Sequence, residues 1–166
     1  MKAPAVKPGD AKAALAALVN APFLHTRSYE QQQWRADRFG AHLLIVAFEK
    51  AFVKRLKEVG IPAYCHTMVR SKLAQAAAAK GGFSHFDGTA PYVHQHCAVD
   101  IVHSQYQWDM ERSHWLIFGH IGKEVARMRG IDIIWGGDWK SKRWPEGDPA
   151  HWELANWRER AKEVLR

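Results

Sequence analysis

The sequence has few cysteines, no long apolar run and no recognisable export signal. Its 166 residues include two cysteines, Cys65 and Cys97, which are too few for a disulfide framework and are expected to be reduced thiols. The longest apolar run, residues 43–48, is far shorter than the roughly 18 residues of a membrane-spanning helix. Pro4 and Pro8 interrupt the N-terminal segment, so we expect no signal peptide. These absences predict a non-membrane protein that is made and kept in the cytoplasm.

The overall composition is that of a folded domain with a basic surface. Hydrophobic residues make up 47% of the chain and charged residues 25%, with a net charge of +7, which favours an anionic partner such as nucleic acid, an acidic membrane surface or a cell-wall polymer. No zinc-finger spacing or recognition helix is present, so nucleic acid is not the expected partner. The ten histidines and eight tryptophans indicate metal or proton chemistry and a densely packed aromatic core.

Hydrophobic periodicity predicts helices and strands in an α+β order. Apolar residues at helical spacing predict a helix over 41–59, which Gly60 and Pro62 end. We further expect helices over 11–19, 72–80, 109–129 and 154–165, strands over 61–69, 98–102 and 131–135, and a loop over 83–91. Because helices and strands do not alternate regularly, a small antiparallel or mixed sheet flanked by helices is expected. Residues 1–40 are expected to form an N-terminal lead with a short helix, and residues 41–166 a single domain.

Two polar clusters lie beside predicted strands. In an extended chain the even offsets would place His94, His96 and Asp100 on one face. A second cluster near the C-terminus contains Asp148 and His151. Two imidazoles and one carboxylate from distant segments are a common ligand set for catalytic zinc, which keeps one position open for water.

Each of these residues also has a purely structural interpretation. A histidine near a strand is more often a hydrogen-bonded core or surface residue than a ligand. Asp148 before Pro149 also fits a helix N-cap followed by proline at the first helical position, and Cys97 fits a small buried hydrophobe better than a ligand. The remaining histidines that we expect to be structural or solvated are His66, His85, His103, His114 and His120.

Five short motifs together resemble one family of enzymes. In order they are Gly60-Ile61-Pro62, Met68-Val69-Arg70-Ser71 with Gln75, Ala98-Val99-Asp100-Ile101-Val102-His103, Trp135-Gly136-Gly137-Asp138-Trp139 and Asp148-Pro149-Ala150-His151-Trp152-Glu153. Over roughly residues 45–155 the sequence resembles the zinc peptidases that cut bacterial peptidoglycan. That family includes VanY-type D-alanyl-D-alanine carboxypeptidases, vancomycin-resistance dipeptidases and phage endolysins that act as L-alanyl-D-glutamate endopeptidases. The last two motifs are the most specific.

The resemblance implies a zinc-peptidase fold of the hedgehog and DD-peptidase type and a set of site residues. Asp100 and His151 would bind Zn²⁺, Asp148 would be the catalytic acid and base, and Arg70 would face the substrate. The family pattern Ser-x-His-x-x-Gly-x-Ala-x-Asp places a ligand histidine seven residues before the aspartate, where this chain has Val93. We therefore expect His94 as the first ligand, through a connecting loop one residue shorter, with His96 as the alternative.

Two further side chains have open roles. Glu153 is expected to hold the second ring nitrogen of His151 and so fix its tautomer, and the alternative is an exposed glutamate at a helix start. For Arg70 the alternative is an ordinary surface salt bridge.

The implied activity is hydrolysis of an amide bond in peptidoglycan stem peptides by a monomeric phage endolysin-type endopeptidase. Such an enzyme would wait in the cytoplasm of an infected host before its release to the cell wall. One alternative is a D,D-carboxypeptidase or dipeptidase. Another, motivated by Val93, is a non-catalytic wall-binding or virion structural domain of the same fold.

Overall fold

A four-stranded antiparallel sheet forms the centre of the protein. The computed structural model describes residues 1–141, 145 and 147–164. The strands are β1 (Ala63–Thr67), β2 (Ala98–His103), β3 (Ile133–Trp135) and β4 (His151–Leu154), in the order β1-β2-β4-β3. The helices are α1 (Ala11–Leu18), α2 (Arg27–Gln33), α3 (Leu43–Glu58), α4 (Lys72–Lys80), α5 (Arg112–Arg129) and α6 (Trp157–Val164). The expected α+β class with a small antiparallel sheet is confirmed.

Alternation along β2 and β4 separates the core from a polar face. Val99 is the cross-strand partner of Trp152, and Asp100 is the partner of His151. Because successive strand residues point to opposite faces, Val99 and Trp152 share one face while Asp100 and His151 share the other. Trp152 packs against Phe48 of α3, which identifies its face as the one covered by helices.

Aromatic rings fill the space between the sheet and α3. The Trp152 ring is fully buried, and its centroid lies 5.4 Å from Phe48 and 5.1 Å from Phe52. These two phenylalanines are one helical turn apart and therefore project from the same side of α3. Trp135 stacks on Trp152 at 5.6 Å. The expected role of tryptophan in the core is confirmed for these two rings, whereas Trp34 is 82% exposed.

Two glycines allow α5 to approach this aromatic layer. A Cβ atom at Gly119 would overlap with the Trp135 ring, and one at Gly122 would overlap with the Trp152 ring. Glycine inside a helix costs about 1 kcal/mol relative to alanine. At these two positions the indole rings occupy the space that a side chain would fill, so glycine is required despite this cost.

The last strand was not predicted from the sequence, and the last helix begins later than expected. Residues 151–154 pair with both β2 and β3, so β4 lies inside the sheet and α6 begins only at Trp157. Asp148 and Pro149 precede this strand, and the helix N-cap interpretation of Asp148 is therefore wrong. Leu165, the expected end of the last helix, lies outside the described residues.

Other element bounds differ from the expectation by a few residues. The helix expected from Asp109 begins at Arg112, where Glu111 forms a capping box with His114. The expected strand over 61–69 is confined to β1, and the strand over 131–135 to β3. The helix over 72–80 and the loop over 83–91 are confirmed. Among the described residues, no helix is long and apolar enough to cross a membrane.

The N-terminal residues contact the rest of the chain through buried groups. Leu18 of α1 is fully buried and belongs to the same hydrophobic cluster as the sheet, and its carbonyl oxygen accepts a hydrogen bond from Nε2 of His103 at 3.1 Å. Helix α2, which the sequence did not predict, follows α1. The division of the chain at residue 40 stays a prediction.

We expect Gly122→Ala to lower the free energy of unfolding by about 2 kcal/mol, because overpacking against Trp152 outweighs the gain in helix propensity of about 1 kcal/mol. Urea denaturation measures the change. Arg127→Ala, at an exposed position of the same helix, is the control and should change stability by less than about 0.5 kcal/mol. A Gly122→Ala protein as stable as the wild type would contradict the close packing of Trp152 on α5.

His103 should make the fold sensitive to acid. Its Nδ1 accepts from the backbone N–H groups of Gln105 and Tyr106, and burial lowers the pKa of His103 to about 4. The folded state binds this proton more weakly than the unfolded chain, so the stabilisation is complete above pH 6.5 and is lost as the pH falls toward 4. The loss amounts to about 3 kcal/mol between pH 7 and pH 4.

The measurement compares the wild type with His103→Gln. The difference in their free energies of unfolding should shrink by about 3 kcal/mol between pH 7 and pH 4. If the variant does not fold, titration of the His103 ring in the wild type by NMR replaces it. A midpoint near pH 6.5 in that titration would contradict the assignment.

Candidate metal centre

Three buried side chains from separate segments converge on the polar face of the sheet. They are His94, from the 3₁₀ turn Val93–Gln95, Asp100 of β2 and His151 of β4. Nε2 of His94 lies 3.2 Å from Nδ1 of His151, and each of these nitrogens lies 3.2 Å from Oδ1 of Asp100. The three ligand atoms therefore form a nearly equilateral triangle, which we call the His-Asp-His cluster.

Backbone structure explains how the three side chains meet. Asp100 and His151 are direct cross-strand partners on one face of the sheet. His94 lies outside the strands, in a turn that the Cys97 N–H closes on the carbonyl oxygen of Val93 at 2.8 Å. The predicted shared strand face for His94, His96 and Asp100 is therefore wrong, because β2 begins only at Ala98.

Hydrogen bonds on the outer side of each ring fix its tautomer. Nδ1 of His94 donates to the carbonyl oxygen of Met68 at 3.0 Å, and Nε2 of His151 donates to Oε2 of Glu153 at 2.9 Å. When both rings are neutral, the other two ring nitrogens turn lone pairs toward each other and toward the Asp100 carboxylate. Three electron-pair donors at this spacing repel one another unless a positive charge lies between them.

The cluster fits a zinc ion in both chemistry and size. Zinc bound to imidazole and carboxylate at about 2.0 to 2.1 Å in tetrahedral geometry separates its ligand atoms by about 3.3 to 3.4 Å. The three observed separations are all 3.2 Å. Carboxylate or carbonyl partners on the outer ring nitrogens are typical of zinc-binding histidines, and Glu153 and Met68 supply one of each.

The cluster attracts positive charge strongly. Burial opposes ionisation of His151, but its hydrogen bonds to Asp100 and Glu153 outweigh burial and raise the pKa of His151 to about 10. Burial likewise opposes ionisation of Asp100, yet His94 and His151 hold the pKa of that carboxyl well below its usual range. A proton and a metal ion therefore compete for Nδ1 of His151, so metal affinity should depend on pH.

A cavity of about 720 Å³ opens over the cluster and is lined by both predicted catalytic residues, Asp148 and Arg70. Burial, followed by the charge of Asp100, raises the pKa of Asp148. The backbone N–H of Asp148 donates to the carbonyl oxygen of Gly136 at 2.8 Å. A Cβ atom at Gly136 would overlap with the Asp148 carbonyl oxygen, so only glycine permits this approach.

Arg70 is held by two neighbours rather than by a surface salt bridge. Its Nη1 donates to Oε1 of Gln75 at 3.1 Å, and its Nη2 lies 3.5 Å from Oδ2 of Asp100. Gln75 is almost fully buried and also donates to the carbonyl oxygen of Phe86 at 2.6 Å. One amide therefore links the guanidinium to the loop that forms a wall of the cavity.

The structure separates the remaining candidates from the cluster. Nδ1 of His96 donates to the carbonyl oxygen of Gly40 at 2.6 Å. The buried Cys97 thiol contacts the Trp157 carbonyl oxygen. Asp138 pairs with Lys123.

The cavity lining also includes four side chains that the sequence analysis did not assign to the site, namely His66, Thr67, Trp108 and Trp139. Trp139 lies within a motif that carried the resemblance, whereas the other three had no comparable signal.

Comparison with known proteins finds a shared fold. The crystal structure of the Serratia marcescens L-Ala D-Glu endopeptidase ChiX aligns with a TM-score of 0.58 and 22% sequence identity, over 81% of this chain and 90% of that chain. No protein-family model and no curated protein matches the sequence. At this level of identity the likeness establishes the fold alone.

We expect Glu153→Gln to weaken zinc binding about tenfold, because a neutral amide supports the His151 ring less well than a carboxylate does. Competition against a chromogenic chelator measures the affinity. The matched control is Glu159→Gln, which removes an exposed carboxylate that pairs with Lys162 and should leave the affinity unchanged. Equal affinities of Glu153→Gln and the wild type would contradict the supporting role of Glu153.

Proposed function

We propose that this protein is a zinc-dependent peptidase that hydrolyses an amide bond in bacterial peptidoglycan stem peptides, as an endolysin-type L-alanyl-D-glutamate endopeptidase. The observation that carries the proposal is the buried His-Asp-His triangle with 3.2 Å edges, at the base of a cavity lined by a carboxylate and a guanidinium. The fold shared with an L-Ala D-Glu endopeptidase supports the choice of substrate.

The ligand set leaves room for chemistry at the metal. His94, Asp100 and His151 supply three protein ligands, which is the number typical of catalytic zinc sites. A zinc ion bound there acts as a Lewis acid that makes water nucleophilic near neutral pH.

Asp148 is the proton carrier in this proposal. It lines the same cavity, and its raised pKa makes it a better proton acceptor than an ordinary carboxylate. Its carboxylate takes the proton of the attacking water and delivers it to the amide nitrogen of the leaving group, and such general acid and base catalysis contributes about 10²- to 10⁴-fold in rate.

Arg70 stabilises negative charge on the substrate. Gln75 and Asp100 fix its guanidinium, so further N–H groups are oriented before the substrate arrives. A fixed donor of this kind contributes about 3 kcal/mol when charge develops on the carbonyl oxygen in the transition state.

The net charge of +7 favours association with an anionic, carboxylate-bearing polymer. We further propose that the protein is held in the host cytoplasm until it is released to the cell wall.

The proposal is tested with purified peptidoglycan as substrate. Asp148→Asn should lower kcat by about 10²- to 10⁴-fold while it retains one equivalent of zinc. Turbidity clearing measures the rate, and metal analysis measures the zinc content. Asp138→Asn, which alters an exposed carboxylate outside the cluster, is the control and should behave like the wild type.

Chelation and product analysis complete the test. Removal of zinc should abolish clearing, and added zinc should restore it. Mass spectrometry should find cleavage between L-alanine and D-glutamate. Release of terminal D-alanine would instead identify a carboxypeptidase, and zinc-loaded protein that binds walls without cleaving them would identify a non-catalytic relative.

A further inference from the structure

A chain of hydrogen bonds approaches the cavity from the β1 side and takes no part in the His-Asp-His cluster. Nη2 of Arg35 lies 2.8 Å from Nε2 of His66, and Nδ1 of His66 lies 2.9 Å from Oγ1 of Thr67. His66 and Thr67 both line the cavity. Neither the sequence motifs nor the proposed chemistry assigns a role to these three residues.

A bulge in β1 explains why two consecutive residues reach the same cavity. Cys65 pairs with Ile101 and Thr67 pairs with Asp100, which leaves His66 without a partner on β2. In a regular strand, neighbouring side chains point to opposite faces, and an extra unpaired residue redirects them. As the cross-strand partner of Asp100, Thr67 has its Cβ atom about 5 Å from that of the proposed ligand.

The direction of the hydrogen bonds follows from the guanidinium. Arginine only donates, so Nε2 of His66 must accept and the ring proton must lie on Nδ1. Nδ1 then donates to Oγ1 of Thr67, and the Thr67 hydroxyl is left with its own hydrogen to donate. Burial, followed by the nearby Arg35 charge, lowers the pKa of His66, in agreement with a neutral ring.

Aromatic contacts hold the His66 ring in place. The Trp108 ring meets it edge to face at 4.5 Å, and Tyr64 lies on another side at 6.1 Å. Trp108 lines the cavity and is 45% exposed. It follows Gln107, which has a left-handed backbone conformation with φ of 52°. Such a conformation costs a non-glycine residue of order 1 kcal/mol and is often found at functional sites.

We propose that Thr67 is a substrate-binding residue whose hydroxyl, oriented by Arg35 through His66, donates a hydrogen bond to a carboxylate of the D-glutamate in the stem peptide. The inference rests on the proposed function, because it names how that same cavity recognises its substrate. A chain that begins at a cation and ends at a hydroxyl is polarised with its positive end toward the cavity, and an anionic oxygen is the acceptor that gains most from it.

The orientation of the chain can be measured without activity. Long-range ¹H–¹⁵N NMR of the full-length zinc-loaded protein should show His66 as the neutral Nδ1–H tautomer. Arg35→Met should shift the ring toward the Nε2–H tautomer, whereas Arg27→Met, at another exposed arginine, should not. An Nε2–H tautomer in the wild type would overturn the chain.

Kinetics with two synthetic stem peptides tests the recognition itself. On the peptide with a free D-glutamate carboxylate, Thr67→Val should raise KM about tenfold, with the larger part of the loss in KM rather than kcat, and Thr67→Ser should restore it. On the peptide with that carboxylate amidated, the acceptor is a neutral carbonyl oxygen, so Thr67→Val should raise KM by a clearly smaller factor. Metal analysis must show unchanged zinc in each variant.

The outcomes separate this inference from the proposed function. If the wild type and Thr67→Val cleave the free-carboxylate peptide with equal KM, the role of Thr67 is overturned and the peptidase proposal stays intact. A zinc-loaded wild type that cleaves neither peptide overturns the peptidase proposal. In that case, calorimetric binding of the free-carboxylate peptide, about tenfold weaker in Thr67→Val, still supports the recognition, and equal binding overturns it.

Discussion

The direct pairing of Asp100 with His151 across β2 and β4 is the constraint on which the rest of the site depends. It fixes two of the three cluster atoms from the sheet register alone. The neighbouring pair, Val99 with Trp152, turns toward the core, so the packing of the Trp152 ring enforces the same register from the other face. A slip of one residue would exchange the two faces and bury the charged groups among aromatic rings, at a cost that only pairing and hydrogen bonding could offset. Core and chemistry are therefore specified by one set of backbone hydrogen bonds.

The outer shell of hydrogen bonds gives this arrangement its chemical character. Met68 and Glu153 take the outer ring protons of His94 and His151, so both inner nitrogens face Asp100. On the adjoining strand, the bulge turns Thr67 toward the same row of residues. Three neighbouring strands thus contribute Thr67, Asp100 and His151 along one line across the sheet. A recognition group, a carboxylate and an imidazole are aligned by pairing and need no mobile loop to meet.

Local signals in the sequence were sufficient for some elements and insufficient for others. Helix α3 follows from its apolar spacing, and the helix expected over 72–80 is α4, whose first turn the Ser71 hydroxyl caps by accepting from the Ala74 N–H. Strand β4 is only four residues long and gains its structure from pairing on both sides, which a local pattern does not record. The expected ligand His94 does lie in the cluster geometrically, but through a 3₁₀ turn rather than through strand alternation. The bulge at His66 could not be predicted from the sequence, because a bulge is defined by how β1 pairs with β2.

Two contacts made by buried residues near the N-terminus, Ala3 and Leu18, have a consequence for any shortened form of the chain. Ala3 is buried, and its N–H donates to the carbonyl oxygen of Asp109 at 2.9 Å. Farther along, the Leu18 carbonyl oxygen accepts the ring proton of His103 at the end of β2. Deleting residues 1–18 would remove the acceptor of the His103 ring N–H and expose this imidazole to solvent, and the lost hydrogen bond alone costs about 1 kcal/mol.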